Sequence, residues 1–105
     1  MTPAEDPVLQ RLRQALEAEY GPRLERVVLF GSRARGEAGP ESDYDVAVFL
    51  RDMRDWWDEA GRLARLQVSL MEEFDAFIEL LPRRAGTLAE RSPLMHEIRR
   101  DGIAL

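Results

Sequence analysis

The sequence predicts a single α+β domain in which a small mixed β-sheet is flanked by helices. Two observations indicate this class. Helical and apolar strand-like segments alternate along the chain in the order helix, strand, short helix, strand, long helix, strand and helices. The chain has 105 residues, which is the size of one domain with one modest core. We therefore expect residues 1–105 to form one unit.

The first forty or so residues contain one predicted helix and one short apolar strand. Apolar residues recur at helical spacing over residues 7–20, and Gly21 and Pro22 end the pattern. Residues 27–30 are wholly apolar, which predicts a buried strand. Residues 32–36 then predict one or two helical turns before a loop that contains Gly39 and Pro40.

Residues 43–50 predict a second strand whose two faces differ. Alternate side chains of a strand point to opposite faces of its sheet. Asp43 and Asp45 therefore share one face with Ala47 and Phe49, and the other face carries only aromatic and aliphatic residues.

The second half begins with a long predicted helix over residues 54–73. Adjacent helical residues point about 100° apart, so we expect one of Trp56 and Trp57 in the core. The other is available to a partner or forms a lid over the sheet edge. A third strand is predicted over residues 76–81, ended by Pro82, followed by short helices over 87–91 and 93–100. The predicted apolar stripe of the long helix comprises Trp57, Ala60, Leu63, Ala64, Val68 and Met71.

Composition excludes several classes of function. The net charge is −5, which opposes binding to a nucleic-acid backbone. There is no cysteine, so disulfides, thiolate nucleophiles and cysteine zinc sites are excluded. The N-terminus resembles no signal peptide, and no apolar run approaches a membrane span. We expect no nucleic acid, no membrane and a cytoplasmic location.

A glycine-serine step after the first strand has the features of a phosphate-binding turn. Gly31 lets the backbone approach a ligand closely, and free amides at the start of a helical turn favour an anion. Ser32 adds a hydroxyl donor, and Arg33 and Arg35 add positive charge. Of these residues, Gly31, Ser32 and Arg35 are our candidates for binding a nucleotide.

Asp43 and Asp45 are the candidate metal ligands. Two residues apart on a strand, they lie about 6 to 7 Å apart along the backbone on one face. Carboxylates this close repel each other unless a cation lies between them. Oxygen ligands without His or Cys suit magnesium, which also favours substrate phosphates. The pair predicts a magnesium–nucleotide site.

The motif resembles that of a known family. Residues 31–36 read Gly-Ser-Arg-Ala-Arg-Gly, and residues 42–45 read Ser-Asp-Tyr-Asp. This order resembles the signature of polymerase-β-type nucleotidyltransferases, and most of all the minimal nucleotidyltransferase (MNT) domains. The resemblance implies that fold, a triphosphate held by Gly31 and Ser32, and two magnesium ions held by Asp43 and Asp45. It also implies a third carboxylate on the next long strand.

Two residues are candidates for the third carboxylate. Asp75 directly follows the long helix and is also suited to a turn. Glu79 lies within an apolar run, where an unpaired charge is costly. We favour Glu79 as a catalytic and metal-binding residue, although the family usually has Asp there.

The resemblance also implies an activity and a partner. The chain would transfer AMP from ATP to a protein hydroxyl, a tyrosine of a HEPN-type toxin, and would act as its antitoxin. The alternative is a non-catalytic antitoxin that neutralises its partner by occlusion. A small-molecule adenylyltransferase is a further alternative, opposed by the lack of an acceptor-binding domain.

Overall fold

The computed structural model describes residues 2–105, which form three α-helices and four strands. Two short 3₁₀ turns, Pro3–Glu5 and Gly21–Arg23, flank the first helix. In chain order the elements are α1 Pro7–Tyr20, β1 Leu24–Phe30, β2 Tyr44–Leu50, α2 Trp56–Phe74, β3 Ile78–Arg84, α3 Pro93–Asp101 and β4 Ile103–Ala104.

The four strands form one mixed sheet in the order β3-β2-β1-β4. Strand β1 runs antiparallel to both β2 and β4, and β2 runs parallel to β3. The parallel pair needs a crossover, and α2 supplies it. This arrangement confirms the predicted mixed sheet flanked by helices.

Helices cover both faces of the sheet. The apolar face of β2, which includes Val46 and Val48, packs in one buried cluster with residues of α1 and α2. Ala47 and Phe49 face the other way, in a second cluster with Met95 and Ile98 of α3. The predicted alternation is therefore confirmed from Tyr44 onward, whereas Asp43 precedes the strand. Asp45 belongs to the α3 face of the sheet.

Helix α1 begins and ends where the sequence predicts. The Asp6 carboxylate accepts a hydrogen bond from the Val8 amide at 2.9 Å, which caps the first turn. The other Asp6 oxygen accepts the Tyr44 hydroxyl at 2.6 Å in a buried contact. The start of α1 is therefore tied to the start of β2.

The strands differ from their predicted bounds. Strand β1 begins three residues earlier than predicted, at Leu24, and β3 covers Ile78–Arg84 rather than 76–81. Pro82 does not end β3, because β3 lies at the sheet edge, where a residue without an amide hydrogen is tolerated. Strand β4 was not predicted, since it has only two residues.

The C-terminal helices are only partly as predicted. Residues 87–91 form turns rather than a helix, so that prediction is wrong. Helix α3 covers Pro93–Asp101, close to the predicted 93–100, and the Ser92 hydroxyl caps it by accepting from the Met95 amide at 3.1 Å.

Helix α2 contains two apolar faces, and the predicted stripe combined parts of both. The face that meets the core carries the buried Leu63 and Leu70 and the partly buried Leu66 and Phe74. Of the predicted stripe, only Leu63 is buried; Trp57, Ala64, Val68 and Met71 are exposed. The prediction was wrong because periodicity reports an apolar stripe but not which stripe meets the sheet.

No helix within residues 2–105 has the length and apolar character needed to cross a membrane.

Candidate active site

The glycine-serine step lies at the carboxyl end of β1. Gly31 has φ of 75°, a left-handed conformation that favours glycine. Its carbonyl accepts hydrogen bonds from the amides of Ala34 and Arg35, at 3.1 and 3.2 Å. The Glu37 amide donates to the Ser32 carbonyl at 3.0 Å. Residues 32–36 form a short hydrogen-bonded turn rather than the predicted helical turns.

Gly31 also packs directly against Asp45. A Cβ atom at position 31 would lie 2.5 Å from the Asp45 Oδ2, closer than real Cβ contacts allow. Phe30 and Asp45 are partners in the β1–β2 register, which explains the approach. The two halves of the motif, 31–36 and 42–45, therefore meet at one point of the sheet.

Three carboxylates gather at this end of the sheet. Asp45 is the register partner of Glu79 across the parallel β2–β3 pair, so the two side chains share a face. Asp43 lies just before β2, two residues from Asp45, and lines a hollow together with Glu79. Burial, followed by the negative charges of Glu79 and Asp43, raises the pKa of Asp45. The structure thus brings together Asp43, Asp45 and Glu79.

Asp75, the other candidate, occupies the turn after α2. It adopts a left-handed conformation with φ of 54°, and its amide donates to the Met71 carbonyl at 2.8 Å. This geometry is that of a helix C-terminal cap. Asp75 therefore has a local structural role that Glu79 lacks.

Arg33 fixes the loop that carries Asp43. Its Nε and Nη2 both donate to the Ser42 carbonyl, at 2.9 and 2.6 Å, and Nη2 also donates to the Pro40 carbonyl at 3.3 Å. Its guanidinium lies 3.8 Å from the centroid of the Tyr44 ring. The sequence indicates only positive charge at Arg33, whereas in the fold its side chain links the turn to the loop that precedes the aspartates.

Arg35 points away from the turn towards α3. It forms ion pairs with Glu37 at 3.0 Å, Glu97 at 3.3 Å and Asp101 at 3.8 Å. The negative charge of Glu97 also contributes to the raised pKa of Asp45, so α3 borders the site. Sequence reasoning missed Glu97, because nothing local to α3 indicates which strand residues it faces.

Two hollows open beside Asp43. The smaller, about 260 Å³, lies between the end of α2 and the start of β3. The larger, about 590 Å³, lies between the loop at residues 40–44 and residues 74–77. The smaller hollow is lined by Asp43, Gln67, Val68, Met71, Ala76, Phe77, Ile78 and Glu79.

The donor chemistry of the three carboxylates fits magnesium. All candidate ligand atoms are carboxylate oxygens, which magnesium prefers, and the raised pKa of Asp45 marks a position where a cation would relieve repulsion. Within residues 2–105, no group of three or more His, Cys, Asp or Glu side chains is arranged so that it could hold a metal ion by itself. Magnesium usually completes its coordination with water and substrate phosphates rather than with a full protein cage.

Comparison with known proteins identifies relatives of part of this chain. A candidate protein adenylyltransferase of Methanocaldococcus jannaschii is 35% identical over 46 residues, which are 44% of this chain and 46% of the relative. The match therefore spans less than half the length of that relative.

Solved structures share the fold. One chain of a toxin–antitoxin crystal structure with AMP-PNP has a TM-score of 0.57 at 23% identity, covering 90% of this chain and 70% of that one. One chain of the tri-AMPylated Shewanella oneidensis HEPN toxin in complex with MNT antitoxin has a TM-score of 0.57 at 21% identity, covering 90% and 66%. The predicted nucleotidyltransferase fold is confirmed.

A family-level comparison covers a larger part of this chain. The model of the nucleotidyltransferase domain family matches residues 9–94, which is most of the chain. The chain belongs to the nucleotidyltransferase domain family.

Proposed function

We propose that this nucleotidyltransferase domain transfers AMP from ATP, with magnesium, to a hydroxyl group of a second protein. The observation that carries the proposal is the meeting of Gly31 and Asp45, with Glu79 as the register partner of Asp45. That contact and that register support a site in which the turn and the carboxylates act together.

The turn after β1 would bind the triphosphate. The amides of Ser32 and Arg33 precede the first hydrogen-bonded amide of the turn, that of Ala34. Amides at such a position favour a phosphate, and the Ser32 hydroxyl adds a donor. Arg35 would contribute charge if it exchanged its carboxylate partners, Glu37 and Glu97, for a phosphate oxygen.

Asp43, Asp45 and Glu79 would hold two magnesium ions. When bound, magnesium supplies charge stabilisation for the phosphates and lowers the pKa of a coordinated hydroxyl. The acceptor oxygen forms a bond to the α-phosphorus, and the bond from that phosphorus to the bridging oxygen of pyrophosphate breaks. The Glu79 carboxylate accepts the hydroxyl proton. Pyrophosphate leaves towards Ser32 and the turn amides.

We propose a tyrosine of a HEPN-type toxin as the acceptor and an antitoxin role for this chain. Three observations support the proposal: the resemblance of residues 25–50 to MNT domains, the relative named as a candidate protein adenylyltransferase, and the shared fold with chains of toxin–antitoxin complexes. The competing proposal is a binding antitoxin that occludes its partner without chemistry.

Replacing the paired aspartates tests the catalytic proposal. Wild-type protein, magnesium and ATP labelled in the α-phosphate should label a HEPN-type protein that is supplied as the acceptor. Asp43→Asn with Asp45→Asn should abolish labelling while circular dichroism stays unchanged, because the metal ligands are lost and the fold is kept. Asp52→Asn makes the same chemical change at an exposed residue beyond the other end of β2, and should label normally. Undiminished labelling by the double variant would refute the assigned metal site.

A further inference from the structure

Helix α2 presents a second apolar face to solvent. We call it the α2 strip: Trp57, Ala64, Val68 and Met71, continued after the helix by Phe77. Trp57 is 78% exposed, Phe77 62% and Val68 50%. The helical positions 57, 64, 68 and 71 fall within one narrow range of directions at 100° per residue. They lie opposite the face that carries Leu63, Leu66 and Leu70. A contiguous exposed apolar face of this kind is typical of a binding surface.

The strip ends at the candidate active site. Val68, Met71 and Phe77 line the same hollow of about 260 Å³ as Asp43 and Glu79. From there the strip runs back along α2 to Trp57, about 21 Å at 1.5 Å per residue. A ligand that covers the strip therefore reaches Asp43 and Glu79 with one end.

Trp57 is held in place as an exposed anchor. The Trp56 indole Nε1 donates to the Pro82 carbonyl at 3.1 Å, which fixes Trp56 over the edge strand β3. Trp57 packs edge-on against Trp56, with ring centroids 4.9 Å apart. A pre-positioned exposed tryptophan loses little conformational freedom on binding, and such residues are enriched in the energetic centres of protein interfaces.

The strand order determines the side from which an acceptor approaches. In phosphoryl transfer the attacking and leaving oxygens are roughly in line. The sheet order places Asp45 of β2 between the turn after β1, where pyrophosphate would leave, and Glu79 of β3. The attacking hydroxyl must therefore arrive from the β3 side, which is where the α2 strip meets the hollow.

We infer that the α2 strip is the docking surface for the protein that accepts the nucleotide. This inference rests on the proposed function. The docked segment presents apolar side chains to Trp57, Val68 and Met71, and its hydroxyl-bearing residue enters the hollow beside Glu79. The end of the segment that enters the hollow should carry no acidic side chain, because the negative charges of Asp43 and Glu79 would repel it.

Kinetics with strip variants test the inference. Trp57→Ala, and separately Val68→Gln with Met71→Gln, should each raise the KM for the HEPN-type protein at least ten-fold. Both preserve the charge of the site, so the dissociation constant for magnesium–ATP should stay within two-fold of wild type. Ser69→Gln is the matched control, because Ser69 is exposed on the same helix outside the strip; it should leave KM unchanged.

The outcomes separate the docking inference from the proposed function. If wild type transfers AMP to the HEPN-type protein but both strip variants keep the wild-type KM, the docking surface is elsewhere and the proposed function stands. If wild type transfers nothing, the proposed function fails. If wild type sediments as a dimer that Trp57→Ala dissociates, the strip binds a second copy and the inference is overturned.

Discussion

At the scale of single residues, the site depends on one contact, between Gly31 and the Asp45 carboxylate. Glycine at position 31 supplies both a left-handed turn and the space in which Asp45 lies. Gly36 also has positive φ, at 74°, but a side chain there would meet nothing within 4 Å. The two glycines of the motif thus have different tasks, which the sequence pattern alone does not distinguish.

The pair of glycines gives a matched test. Gly31→Ala and Gly36→Ala should each lower the free energy of unfolding by roughly 1–2 kcal/mol, from the left-handed backbone conformation. Only Gly31→Ala should also abolish AMP transfer, since its Cβ displaces the Asp45 carboxylate. Urea unfolding and a labelled-ATP assay measure the two effects. Equal activity of the two variants would show that the Gly31–Asp45 contact is not needed.

The third carboxylate is tested in the same way. Glu79→Gln should cut the transfer rate by about 10²-fold or more, because it removes the proton acceptor and a metal ligand. Asp75→Asn should retain activity, since Asn also tolerates the left-handed turn after α2. Single-turnover rates measure both effects. A larger loss of transfer rate with Asp75→Asn than with Glu79→Gln would identify Asp75 as the third carboxylate.

At the scale of elements, α2 has two apolar faces, one buried in the core and one exposed to solvent. Leu63 and Leu70 join it to the core beneath the sheet, and the α2 strip remains exposed. Between the faces, the Gln67 side chain accepts a hydrogen bond from the Leu80 amide at 3.0 Å. That bond satisfies an amide of the edge strand β3 and limits pairing with another chain.

Stability should follow the face to which a residue belongs. Leu70→Ala should lower the free energy of unfolding by ~2–5 kcal/mol, because Leu70 is 1% exposed and its removal leaves a cavity. Val68→Ala should change it by no more than about 0.5 kcal/mol, as expected for an exposed position. Chemical denaturation of the two variants measures both changes. Similar losses in the free energy of unfolding would mean that the α2 strip is buried in solution.

Local signals in the sequence predicted the elements that depend on local chemistry. The bounds of α1, the alternation along β2 and the pair Asp43 and Asp45 all follow from capping and periodicity. Other features depend on which elements pack together. These are the side of α2 that meets the sheet, the two-residue strand β4 and the position of Pro82 within β3. The hydrogen bonds of Arg33 also depend on packing, because its partners are backbone carbonyls of a loop. They could not be predicted from the sequence.

At the scale of the whole molecule, the mixed topology orders the parts of the site. The antiparallel β1–β2 pair brings Gly31 to Asp45, and the parallel β2–β3 pair brings Glu79 to the other side. Helix α2, the crossover between the parallel strands, carries the α2 strip to the same end. One sheet of four strands therefore positions the candidate phosphate turn, the three candidate carboxylates and the exposed α2 strip.

The central claim, that this chain neutralises its partner by chemistry, is tested most directly by the intact mass of the HEPN-type protein. After incubation with ATP, magnesium and wild-type chain, that protein should be heavier by one or more AMP units and inactive. After incubation with the Asp43→Asn, Asp45→Asn variant, it should be unmodified and active. An unmodified partner that both forms silence equally well would contradict catalysis and establish an antitoxin that acts by binding.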